Sequence, residues 1–149
     1  MSADVARAAA RGAVGAMAMT GMRTFTADVG LVRETPPQSI AKKRRPSGLL
    51  SYVPKSRRRA FVEGMHWSVG IAGGAIFGAF PDGLRRTPWF GPLYGLAILL
   101  SYDFGIAPLL GLKQSDKPKA TEQAALIADH VLYGLILTGG ERAAQPRPS

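Results

Sequence analysis

Polar and apolar residues fall along this chain in long blocks rather than short stripes. Apolar residues gather at about 12–32, 60–80, 89–112 and 123–140, divided by segments rich in proline, glycine and charge. Each block approaches the roughly 20 residues an α-helix needs to cross a hydrocarbon core of about 30 Å. The apolar side chains surround each block instead of lining one side, and a small chain has nowhere but lipid to hide such helices. The third block is the most apolar: "WFGPLYGLAILLSYDFGIAPLLGL" holds a single charge, Asp103. The first is the most polar, with Arg23 and Asp28 inside it. The pattern predicts one all-α domain, a four-helix transmembrane bundle with a long basic loop at 33–59 between helices 1 and 2 and a disordered tail at 141–149. A soluble helical globule is the alternative, which a mean hydropathy of +0.05 keeps open.

The breaks are marked by residues that stop helices: "ETPPQS" after the first block, "PDG" after the second and "KPKAT" before the fourth. Pro36 and Pro37 favour an extended segment. Thr121 is placed to cap the fourth helix. Arg7 and Arg11 precede "GAVGAMAMTGM" as they would in a signal peptide, but no A-x-A site follows, so the first helix is expected to stay uncleaved.

The second block contains "HWSVGIAGGAIFGAF", with Gly70, Gly74 and Gly78 four residues apart. In lipid no hydrophobic force joins helices, and small residues at this spacing let two backbones approach closely. The glycines therefore predict a packing seam, either inside the bundle or between two copies of it. Gly12, Gly15, Ala16 and Gly21 offer a counterpart on the first helix.

Charge adds a direction. The chain carries a net charge of +9, and nine of its 19 basic residues lie between Arg33 and Arg59, against one acid, Glu34. Lys42, Lys43, Arg44, Arg45, Arg57, Arg58 and Arg59 are candidates for anionic lipid head groups, at about 1 kcal/mol each near the surface. Only Tyr52 and Phe61 stand among or beside these basic residues and no nucleic-acid module is present, which argues against a nucleic-acid partner. With Lys113, Lys117 and Lys119, the face bearing the basic loop has twelve basic residues against six opposite. This predicts a multi-pass protein of the inner (plasma) membrane, with the basic loop cytoplasmic and both termini outside.

Counting along the helices from the basic-loop face puts Arg23 and Asp103 at roughly 13 Å depth, Asp129 and His130 at roughly 11 Å and His66 at roughly 9 Å. Four helices thus bring ionisable groups to one layer, with Glu63 nearer the surface. A lone charge in hydrocarbon costs at least about 2.5–3.5 kcal/mol, so these groups are expected to turn inward and pair. Arg23 with Asp103 is the first-choice ion pair, with His66 and His130 beside it. Asp129 and His130 point about 100° apart, so only one aims at the bundle axis, and His130 is the expected one. The layer either holds the helices together or forms a site for an ion, proton or polar ligand.

Enzyme motifs are mostly absent. The absence of cysteine removes disulfides, thiolate metal sites and a thiol nucleophile. No P-loop, GxGxxG, GxSxG or HExxH occurs, and no catalytic residue is assigned. Glu63-x-x-His66 matches half of a di-iron carboxylate motif, but the second pair and the two further glutamates are missing. No metal and no cofactor are expected; a haem between His66 and His130 is the weaker alternative.

"ARGAVGAMAMTGMRTFTADVGLVRETPPQSIAKK", "GMHWSVGIAGGAIFGAF", "PLYGLAILLSYDFGIAPLLGL" and "ADHVLYGLIL" together look like the small multi-pass bacterial membrane proteins, common in actinobacteria, that include the YagU-like family. The resemblance implies an inner-membrane location and a helical fold, and transfers no catalytic residue. The "KKRRP" and "KSRRR" runs exceed that pattern. The expected function is structural: an interaction protein of the membrane that holds anionic lipid, a second copy or a membrane-protein partner. The alternative is a small transporter, channel or proton-coupled protein using the Arg/Asp/His layer.

Overall fold

The computed structural model describes residues 3–31, 51–102, 104 and 120–143, with side chains of the last helix described as far as residue 140. The described residues are all-helical. Helix α1 spans Ala3–Asp28, α2 Arg58–Gly78, α3 Asp82–Arg85, α4 Phe90–Ser101 and α5 Ala120–Ala143, with a 3-10 turn at Lys55–Arg57 before α2.

Helix α1 starts well before the apolar block. "ADVARAAAR" is rich in alanine, the best helix former, and Asp4 sits in the first turn, where the helix dipole favours an acid. It ends early, at Gly30, whose φ of 75° is the left-handed conformation that glycine tolerates. There the Gly30 N–H donates to the Ala27 carbonyl and the Leu31 N–H to the Thr26 carbonyl, closing the last turn. Helix α2 ends against Pro81, and the "PDG" break forms the short α3. At the other end of the chain α5 starts three residues earlier than expected and runs three residues into the predicted tail. The third block is α-helical to Ser101, with Tyr102 and Phe104 in π-helical conformation beyond it; the rest of its expected length lies outside the described residues, as does most of the basic loop.

Contacts pair residues of rising number on α1 with residues of falling number on α2, as in Gly12 with Gly74 and Ala8 with Gly78, so the two helices run antiparallel. The same holds for α1 with α5 and for α4 with α5, and these three pairs carry most of the packing. Phe77 of α2 meets Phe90 and Tyr94 of α4 at ring-centroid distances of 5.5 and 5.3 Å, which closes the ring α1, α2, α4, α5. Met19, Phe77, Tyr133 and Leu137 form the apolar centre.

Among the described residues no helix is both long and apolar enough to cross a membrane. Length is not what α1, α2 and α5 lack, since 21 to 26 residues give about 30 Å or more. Apolarity is: α1 carries Arg7, Arg11 and Arg23, α2 carries Glu63 and His66, and many of their remaining positions are glycine or alanine. Large apolar side chains such as Phe25 (61% exposed), Leu93 (62%), Val14, Ile76 and Leu135 face outward, while glycines fill the interfaces.

Candidate functional site

Helix α1 buries Ala8, Gly12, Gly15, Ala16, Met19 and Arg23, a face repeating every three to four residues that begins with small side chains and ends in a charge. Opposite it lie Gly70, Gly74 and Gly78. A β-carbon on Gly74 would collide with the Ala8 carbonyl and sit 2.9 Å from the Gly12 Cα; one on Gly78 would sit 2.9 Å from the Val5 Cα. Backbone therefore lies on backbone along the whole seam.

A second seam was not predicted. β-Carbons on Gly91 and Gly95 of α4 would strike the carbonyls of Gly134 and His130 on α5, and one on Gly134 would strike the Gly91 carbonyl. The signal was present in "GPLYG", another pair of glycines four apart. Tyr133 locks the two halves together. Its ring lies over Gly15, where a β-carbon would approach to 2.7 Å, and its hydroxyl donates to the Gly70 carbonyl at 2.5 Å. The Tyr94 hydroxyl donates to the Gly73 carbonyl at 2.7 Å. A bond of this kind contributes about 0.5–1.5 kcal/mol net.

At the charged end of the first seam, α1, α2 and α5 bring the ionisable residues together. Arg23 Nε lies 3.2 Å from Asp129 Oδ2, and Arg23 Nη2 lies 2.5 Å from His66 Nε2. A guanidinium only donates, so His66 Nε2 accepts and the imidazole carries its own proton on Nδ1. Glu63 Oε2 accepts from the Thr20 hydroxyl at 3.1 Å, and Trp67 Nε1 donates to the same hydroxyl oxygen at 3.2 Å. Neither Thr20 nor Trp67 carries a charge, and the sequence reading passed both over. The phenol of Tyr102, just past α4, lies within electrostatic reach of Arg23.

The choice between Asp129 and His130 is corrected. Asp129 is 1% exposed and faces the centre, whereas His130 is half-buried with Nδ1 2.8 Å from the Leu126 carbonyl of its own helix. Asp129, Tyr133 and Leu137 are all buried, and their spacing of four puts them on one face. That spacing was the signal that could have selected Asp129. The expected partner of Arg23, Asp103, lies outside the described residues.

The Arg23–Asp129 pair has Coulombic proximity without hydrogen-bond geometry. Arg23 Nε and both carboxylate oxygens of Asp129 are buried with no hydrogen-bond partner among the described residues. Among those residues no three His, Cys, Asp or Glu side chains are grouped to hold a metal ion.

Of the predicted head-group residues, Lys42, Lys43, Arg44 and Arg45 lie outside the described residues. Arg57 and Arg59 are exposed as expected of such residues. Arg58 is not: it is buried, and its Nε donates to the Val53 carbonyl at 3.1 Å, which pins the turn leading into α2. At the opposite end of the bundle Arg85 plays a similar part. Its Nε donates to the Phe80 carbonyl at 2.9 Å, it pairs with Asp82, and it reaches to 3.9 Å from Asp4 of α1. No family model, no curated protein and no solved structure matches this chain.

Proposed function

We propose that the protein is a membrane-embedded bundle with a structural or interaction role, anchored by its basic segment to anionic lipid head groups. The observation that carries this reading is the set of large apolar side chains on the outer face, around helix interfaces filled by glycine, a tyrosine lock and an ion pair. Hydropathy averaged around a helix counts Arg23, His66 and Asp129 against it, but lipid meets only the outer face. The resemblance to the YagU-like proteins points the same way. The basic segment lies at the cytoplasmic face in this reading, with both termini opposite. Alkaline carbonate extraction is the test: the protein stays with the membrane pellet, and release into the supernatant overturns the proposal. Since the chain has no cysteine, Ser56→Cys and Ser149→Cys report orientation by labelling from opposite sides.

A second reading, a small transporter or proton-coupled protein, is favoured by a different observation, the enclosed ionic centre. Proton or ion flux in proteoliposomes tests it.

A further inference from the structure

The charges gathered where α1, α2 and α5 meet do not balance. With its carboxylates ionised the centre holds, among the described residues, one cation, Arg23, against two anions, Asp129 and Glu63, because His66 accepts from Arg23 and is neutral. Among the described residues, His130 on α5, half-buried and bonded to the Leu126 carbonyl, and the Tyr102 phenol beyond α4 are the other titratable groups around it. An enclosed net charge is costly in a low-dielectric interior, and the group that offsets a surplus negative charge in the least space is a proton.

We propose that this centre is a binding site for one exchangeable proton, carried by the Asp129 carboxyl. Three observations select Asp129. It is the most deeply buried of the acids, at 1% exposure, and neither of its oxygens receives a hydrogen bond among the described residues. Glu63 is only half-buried and accepts a hydrogen bond from the Thr20 hydroxyl, so its carboxylate is less in need of a proton than that of Asp129. A proton on His66 Nε2 would set an N–H against the donating Nη2 of Arg23. The step balances simply: the carboxylate takes up one proton to become a neutral acid, no other bond forms or breaks, and Arg23 keeps its charge opposite Glu63.

The site deepens the proton-coupled reading, yet the two fail separately, because binding is read without flux. It is also independent of what surrounds the outer face. Full-length protein is titrated from about pH 8 to about pH 5.5, above the ordinary carboxyl range. Infrared absorption follows the stretch of a buried protonated carboxyl, and Trp67, hydrogen-bonded to Thr20, reports the same event by fluorescence. The band is expected to grow in the wild type and to be absent from Asp129→Asn. Since that variant leaves Arg23 without its anion, Arg23→Gln/Asp129→Asn, which keeps the pair neutral and the shape intact, is measured beside it and is also expected to lack the band. Glu63→Gln is expected to move the midpoint to lower pH, because the centre then balances without the proton. No band in the wild type, a band surviving in either Asp129 variant, or an unchanged or higher midpoint in Glu63→Gln overturns the proposal.

Discussion

Arg23 and Arg85 are both buried, near opposite ends of α1, and they are held in different ways. Arg85 is held mainly by local partners: Phe80 and Asp82 lie within five residues, the Asp82 carboxylate is 56% exposed, and the longer 3.9 Å approach to Asp4 reaches another helix. Arg23 is satisfied only by distant segments, His66 on α2 and Asp129 on α5, and its carboxylate partner is enclosed. A local pair with an exposed acid can form before the bundle does and gives up little hydration. The distant pair exists only when three helices have assembled, and it carries the full desolvation cost of two ions. The difference teaches that one end of the bundle is a staple and the other a condition on assembly.

Breaking the distant end gives the largest expected effect. Asp129→Leu leaves Arg23 buried without its anion and is expected to cost about 3–5 kcal/mol in unfolding measurements. Arg23→Leu/Asp129→Leu is expected to recover much of that loss, since no unpaired charge remains; additive losses in the double-mutant cycle would show that the two side chains do not interact. Next comes Gly74→Leu, which forces α1 off α2 along the seam leading to Arg23. A cost of about 1–3 kcal/mol or more is expected by thermal unfolding, with Trp67 fluorescence altered as the Thr20 contact opens. A loss confined to stability, with Trp67 unmoved, would mean the seam and the centre are uncoupled.

The local end is expected to respond less. Arg85→Ala removes a buried hydrogen bond to the Phe80 carbonyl and is expected to cost about 1–2 kcal/mol. Asp82→Asn touches only the exposed carboxylate and is expected to change stability by less than about 1 kcal/mol, with the effect fading as salt is raised. If Asp82→Asn matched Asp129→Leu, the contrast between the two ends would be wrong.

Long-range composition made the four-helix plan legible, because blocks of apolar residues between proline-rich breaks survive any local ambiguity. The ionisable layer was legible for the same reason: depth along a helix follows from counting at about 1.5 Å per residue. Direction around a helix did not follow. Asp129 and His130 share a depth, and only the buried companions Tyr133 and Leu137 show which one turns inward. Helix ends were misplaced where hydrophobicity and helix propensity part company. The alanine-rich start of α1 is helical without being apolar, and Val29 and Leu31 are apolar without being part of the helix. Arg58 was misassigned because a charge run says nothing about which member folds back onto a carbonyl. The second glycine seam was visible in "GPLYG" but masked by its own block, whose hydrophobicity alone explained it.

The seam between α1 and α2 has a consequence for sliding. Ala8, Gly12 and Ala16 recur every four residues, and so do Gly70, Gly74 and Gly78. A groove with that repeat is close to self-matching: displace one helix by a single turn, about 5.4 Å, and small residues again face small residues. Glycine therefore sets how near the helices come and leaves several alignments almost degenerate. The Arg23 contacts are not periodic. Slip α1 by one turn and the guanidinium leaves both His66 and Asp129, stranding an anion in the interior. The ionic centre is in this sense the index mark on a vernier, a non-repeating feature that tells two repeating scales where to stop.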